Sequence, residues 1–302
     1  PVFEATPDDE SGVLANISLI NMDTTPALSL LYGKNYVYSQ HLFSLPLTKF
    51  AGGDGSDSNP FMIATVADLQ QMKSAPGASY KLANDIDATG FEFTPVEGFS
   101  GTLDGDGKTV SFLQFAETSA TGIFKSASDA KVMNLTLTDP VVDLSGASST
   151  SSVVMSTGMA STLENVKVYG AVVTGGEYDG EFGVLGGSLS NNSIVTGCYV
   201  ANASIALPEA SVGGLVAALK TGSSVKSSAF TGSISGNAEV GGIVGAGSLD
   251  FAVEDSHVDA DIIAANTVGG IVGSASRGKV NRNVVEGTLA ATRPQWKSVA
   301  MG

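Results

Sequence analysis

Apolar residues in this chain fall in short alternating runs separated by glycine, serine and asparagine, and the runs return at a near-fixed interval. The hexapeptide VGGIVG stands at 240–245 and again at 268–273. With its second glycine as anchor, the series reads Gly270, Gly242, Gly214 (VGGLV), Gly183 (FGVLGG), Ser152 (SVVMS) and Gly122 (TGIF). The steps between them are 28, 28, 31, 31 and 30 residues. A second column follows each anchor, closing the segments VMNLTL, LENVKV, VTGCYV, VKSSAF, VEDSHV and VNRNVV at Leu137, Val168, Val200, Phe230, Val258 and Val285. In the last four repeats a third column follows at Ile205, Ile234, Ile262 and Leu289.

Apolar spacing of two, with glycine inside every unit, excludes helical repeats of this length. Propeller blades need about 40–45 residues. Three short strands per unit, stacked along an axis, describe an all-β chain folded as a parallel β-helix with coils of 28–31 residues. At ~4.8 Å per coil, roughly six to eight coils make a rod of about 30–40 Å. Equivalent residues then sit above one another, so whatever fits a corner in one coil must fit it in the next. The Gly-Gly pair is expected at a corner that needs φ > 0, or where a side chain would strike the neighbouring coil. The Ile-Val after it is expected to alternate in and out, with one residue in the core column.

Before the repeats the pattern changes. Residues 1–51 carry apolar runs without the period and read as a β-rich arm or the remnant of a preceding domain. Residues 52–121 hold a polar joint (GGDGSDSNP, 52–60), a helix and the first coils. Thr65 is the expected N-cap of that helix, with Val66, Leu69 and Met72 on one face over 65–74, placed to cap the first coil. DGDG at 104–107 signals a tight turn. Residues 122–302 are the repeat coils, and the last is incomplete: Trp296 falls in the column of Val268, Val240 and Val212, and SVAMG at 298–302 resembles SVVMS. An open apolar coil end there is expected to allow end-to-end contact. The chain starts at Pro1 without an initiator Met, as a processed or trimmed chain would.

Composition narrows the partners. Of 302 residues, 43% are hydrophobic and only 15% charged, and the formal net charge is −15. Such a surface repels phosphate backbones and anionic lipid, which argues against nucleic acid and membrane-surface partners. No stretch approaches the 18 apolar residues of a membrane span. Cys198 is the single cysteine, so no intrachain disulfide forms.

The GG-[IL]-V-G units, with the lead-in NPFMIATVADLQQM, YKLANDIDATGFEFTPVEGFSGTLDGDGKTV and TGIF, resemble the GLUG-type repeat of bacterial surface proteins over roughly 53–302. The resemblance implies secreted or outer-surface adhesins of gut-type bacteria. Similar repeats also flank immunoglobulin-cleaving metallopeptidases. The motif is a structural signature and brings no catalytic residues with it.

The search for chemistry is correspondingly bare. His41 and His257 lie in different regions, short of a metal-ligand set. His257 stands in a chemically mixed column and reads as solvent-exposed; Cys198, aligned with Leu135, Val166, Ser228, Ser256 and Asn283, reads as a small packed residue. Carbohydrate-active β-helices need paired carboxylates on one face. The candidate pairs Asp85/Asp87, Asp104/Asp106 and Glu254/Asp255 read as turn acids, the last without acidic neighbours above (Asn281, Arg282) or below (Lys226, Ser227). DGSDSN at 54–59 and DGDG lack a distal-Glu calcium pattern and read as turns. Tyr178 is the expected exposed aromatic. No catalytic, cofactor-binding or metal residue is therefore expected, and no cofactor. The expected function is an extracellular or cell-surface adhesin-like rod without catalysis that binds a host or matrix protein or a glycan. The alternatives are a polysaccharide lyase or glycoside hydrolase, and the non-catalytic stalk of a larger surface protease.

Overall fold

The computed structural model describes residues 2–7, 14–21, 50–116 and 120–292. His41, Trp296 and the 298–302 segment lie outside them. The chain divides into two compact units, Pro1–Leu47 and Thr48–Gly302. In the first, strands Val2–Pro7 and Leu14–Asn21 pair antiparallel. The second is a parallel β-solenoid of about seven turns.

One coil shows how the sequence makes it. Glu239–Gly241 belongs to a third, five-stranded sheet, Val244–Glu254 to the first sheet, and His257–Ala264 to the second. Each pairs in parallel with the strand one period away: Val240 with Val268, Val253 with Val280, Val258 with Val285. Alternation sends every second residue inward. Leu103, Val132, Leu163, Val195, Val225 and Val253 stack as one buried column, and Val110, Leu137, Val168, Val200, Phe230 and Val258 as another. The third expected column also runs through the two earlier coils, as Val142 and Val173 beneath Ile205, Ile234 and Ile262. Full burial of such a side chain contributes about 1.5–3 kcal/mol, repeated in every coil. In the last described coil Val280, Val285 and Leu289 are only partly buried against this core.

Of the two reasons expected for glycine at this corner, the close approach of the neighbouring coil holds and positive φ does not, while the alternation expected after it needs correction. The Gly-Gly pairs do not take φ > 0; the chain bends at 242–243, and a Cβ at Gly242 would lie 2.3 Å from the Gly270 carbonyl oxygen and 2.6 Å from Val258 Cγ1. Crowding, not conformation, selects glycine there. The bend also breaks the alternation, so Ile243 and Val244 are both buried, as are Leu215 and Val216. The anchor series slips by one residue in the early coils as well. Ser152 and Gly183 stack under Gly213 and Gly241, the first glycine of each pair. The second-glycine column continues downward as Val184, Val153 and Gly122, since Gly186, Met155 and Phe124 stack under Val216 two residues on.

The left-handed residues stand at other corners, in columns. Between the first-sheet and second-sheet columns come Asn134, Asn165, Gly197, Ser227, Asp255 and Arg282, all with φ between 47° and 62°. Another column runs through Asp129, Ala160, Asn191, Thr221, Leu249 and Arg277. Half of these twelve are Asn, Asp or Gly, which tolerate αL; Leu249 (φ 59°) is not among them, and it is 52% exposed. Leu249→Asn is therefore expected to stabilise the solenoid by about 1 kcal/mol, a rise of roughly 2–4 °C in the thermal midpoint. An unchanged or lower midpoint would contradict the strain assigned to this corner.

Serines replace apolar residues where a corner amide needs a partner. The Ala130, Ser161 and Ser193 amides donate to the Ser161, Ser193 and Ser223 hydroxyls of the next coil. At the N-terminal end, helix Val66–Gln71 and the tighter turn Met72–Ser74 bury Leu69 and Met72 in the core. Thr65 accepts the Asp68 amide and Asp68 accepts the Thr65 amide, completing a capping box. The turn expected at DGDG forms, with Asp106 and Gly107 both at positive φ. Among the described residues no helix is long and apolar enough to cross a membrane.

Candidate functional site

The acids singled out by the sequence are each committed to a local partner. Asp85 accepts the Thr109 amide (2.8 Å), and Asp87 accepts the amide and hydroxyl of Thr89. Those bonds hold the Asp87 carboxyl below its usual range. Asp104 accepts the Asp106 amide and Asn134 Nδ2, while Asp106 pairs with Lys81 at 2.9 Å and is likewise held low. Glu254 lies 3.6 Å from Lys226, and Asp255 takes a two-pronged contact from Arg282 (2.6 and 2.7 Å) that depresses its pKa. In DGSDSN the chain folds back through a Ser56–Asn59 bridge; Asp54 accepts the Ser56 amide and Asp57 the Ser79 hydroxyl. Among the described residues no group of three or more His, Cys, Asp or Glu side chains is arranged to hold a metal ion.

Cys198 is buried, and burial pushes its thiol up to about 12. Its amide donates to the Ser228 hydroxyl, the Ser228 amide to the Ser256 hydroxyl and the Ser256 amide to Asn283 Oδ1, a ladder of small polar residues, while the thiol faces the Leu163 and Thr196 carbonyls. His257 points outward from the second sheet, 3.8 Å from the Glu286 carboxylate. Tyr178 is not exposed. Its ring fills the corner beside Gly180, and its hydroxyl donates to the carbonyls of Ser149 and Glu181.

The outward-facing aromatics lie elsewhere: Phe112 is 45% exposed, and Tyr169 and Tyr199 are half-buried. Tyr169 and Tyr199 stand on the outer face of the second sheet, ring centroids 5.9 Å apart in an edge-to-face pair. Register sets Tyr199 beside Lys167 and Tyr169 beside Ala201, whose small side chain leaves the rings room to lie over it. Val141 and Val172 pair on the next strands of the same sheet, beyond the left-handed Asp139 and Gly170, and are 41% and 45% exposed. Tyr169 and Tyr199 stand 30 residues apart, one period, which is the signal a search for isolated aromatics passes over. The same face carries Asp259 directly beside Glu286, the one place among the described strands where register puts two acids on neighbouring coils. Asp261, two residues along, accepts the Thr288 hydroxyl.

No family model matches this chain. A stretch of 106 residues is 34% identical to Halomucin of Haloquadratum walsbyi, covering 30% of this chain and 1% of that protein. Two solved structures have similar folds. One is a Bacteroides ovatus protein described provisionally as an immunoglobulin A1 protease (TM-score 0.58, 19% identity, 84% of this chain and 87% of that one). The other is described as an IgA1 protease (TM-score 0.56, 18% identity, 79% of this chain and 21% of that one). This chain therefore spans about a fifth of the second protein and a far smaller part of Halomucin. At such identities the likeness to the solved structures concerns the fold.

Proposed function

We propose that this chain is an adhesin-like binding and display rod, without catalysis of its own, in a secreted or cell-surface protein. The observation that carries the reading is the second-sheet face. Half-buried Tyr169 and Tyr199 and exposed Val141 and Val172 are fixed there by the register of consecutive coils. A rigid, partly aromatic surface suits contact with a host or matrix protein or a glycan, because the rings supply area with little entropy to lose. The resemblance to GLUG-type repeats and the fold shared with proteins described as immunoglobulin A1 proteases support a location outside the cell.

The test is an array of matrix proteins and host glycans probed with the chain and with the Tyr169→Ser/Tyr199→Ser double variant. The chain is expected to bind at least one target, and the variant to bind it about tenfold or more weakly while keeping the folded circular-dichroism spectrum. Binding to nothing on either array, or equal binding by the variant, would remove the reading. A second reading is favoured by the 21% coverage of the IgA1 protease: the rod as a non-catalytic stalk that positions a protease domain. Deleting the rod from a longer gene product would then raise KM and leave kcat unchanged.

A further inference from the structure

A cavity lies on the first sheet near its N-terminal end. Strands Ser79–Leu82, Thr102–Asp104 and Lys131–Met133 pair there in parallel. Tyr80, Leu103 and Val132 point into the core. The alternate side chains face outward as a two-by-three grid, Ser79, Thr102 and Lys131 in one row and Lys81, Asp104 and Met133 in the next. The 54–59 turn rises beside the grid. It is pinned by the Ser79 amide donating to the Gly55 carbonyl (2.9 Å) and by the Ser79 hydroxyl donating to Asp57 (2.5 Å). Asp57 and Pro60 thus wall a cavity of about 260 Å³ over the grid.

Its chemistry is balanced. Both ammonium groups are neutralised by acids outside the cavity lining, Lys81 by Asp106 (2.9 Å) and Lys131 by Glu164 (2.8 Å), and each keeps further N–H donors. The bonds to Asp57 and Asp104 fall on Oδ1, so each carboxylate keeps acceptor capacity on Oδ2. Ser79 and Thr102 add hydroxyls, and Met133 and Pro60 add an apolar wall. An anion would meet two carboxylates here and a cation two ammonium groups. A neutral polyol meets paired acceptors for vicinal hydroxyls, donors for its oxygens and an apolar surface for its C–H face. The volume falls just short of the range of about 300–1,000 Å³ usual for ligand pockets, enough for one ring.

We infer that this cavity binds a single neutral hexopyranose unit at the end of a glycan. The inference rests on reading the chain as a binding rod, and it places one ligand site away from the tyrosine face. The test titrates the whole chain with D-glucose, D-galactose, D-mannose and N-acetylglucosamine, read by saturation-transfer NMR, with glucuronate and glucosamine as charged controls. At least one neutral sugar is expected to bind and the charged ones to bind more weakly. Asp104→Asn and Asp57→Asn should each lower the affinity about tenfold at an unchanged melting temperature. Thr102→Val, which leaves every acid in place, should weaken binding as well.

Absence of transfer to all four neutral sugars would overturn the site. So would unchanged binding in both Asp variants. Sugar binding lost in Tyr169→Ser/Tyr199→Ser but kept in the Asp variants would overturn it too, while leaving the rod reading standing.

Discussion

Val258→Asp is expected to lower the thermal midpoint of the solenoid by about 10 °C or more, a cost of about 3–5 kcal/mol. Val258 is fully buried between Phe230 below and Val285 above, with Gly242 against its methyl groups. A carboxylate in that column would have apolar neighbours in both adjacent coils. Whether it stays charged or takes up a proton, the chain loses either solvation or packing. Val284 makes the control. It lies one coil further on, stacked on His257, and is 53% exposed. Val284→Asp should therefore change stability by no more than about 0.5 kcal/mol. Urea unfolding followed by circular dichroism compares the two; equal losses would mean that the column does not face the core.

Gly242→Val is expected to cost about 3 kcal/mol, for a different reason. The nearest obstacle to its Cβ is the Gly270 carbonyl oxygen of the next coil, at 2.3 Å, and backbone cannot rotate out of the way as a side chain can. The second contact, Val258 Cγ1 at 2.6 Å, can be relieved separately. A double-mutant cycle with Val258→Ala should therefore recover only part of the loss. Full recovery would show that the facing valine alone selects glycine. The column itself supplies a comparison. Val153 and Val184 occupy the equivalent place in earlier coils and are buried without any such glycine. The coils of Gly214, Gly242 and Gly270 repeat at 28 residues, and the earlier ones, with Gly122, Val153 and Val184 in this place, at 30 or 31, consistent with a narrower cross-section in the later part of the rod.

The period and the apolar alternation made the fold legible, because an inward position repeated six times leaves a column that composition cannot hide. Leu137, Val168, Val200, Phe230, Val258 and Val285 were identifiable on that ground. The corners were not. Asn134, Gly197, Ser227 and Arg282 share one backbone conformation and almost no side-chain chemistry, so no residue-type pattern marks them. Matching by residue type also caused the slip at Ser152 and Gly183, where small residues of the first corner position pass for those of the second. Tyr178 stands in a glycine-rich turn and looks solvent-facing, but its hydroxyl finds two carbonyls that let the ring be buried. The tyrosine face and the Asp259–Glu286 contact were legible in principle, as like residues close to one period apart. The sequence marked Asp57 and Asp104 as acids of two separate turns but not that they border one cavity, because its wall is a turn that precedes the periodic region.

The direction of the backbone hydrogen bonds has a mechanical consequence. Those joining neighbouring coils run from one coil to the next, as from the Ile243 amide to the Ile271 carbonyl and from the Asp255 amide to the Asn281 carbonyl, and hence along the axis of the stack. Tension applied along that axis loads a sheet in the opening mode, rung after rung, whereas tension along the strands loads many rungs at once in shear. The stack is thus compliant in one direction and stiff in the other. Strain imposed at one end can be relieved by releasing a single coil of about 28–31 residues while the remaining coils keep their register.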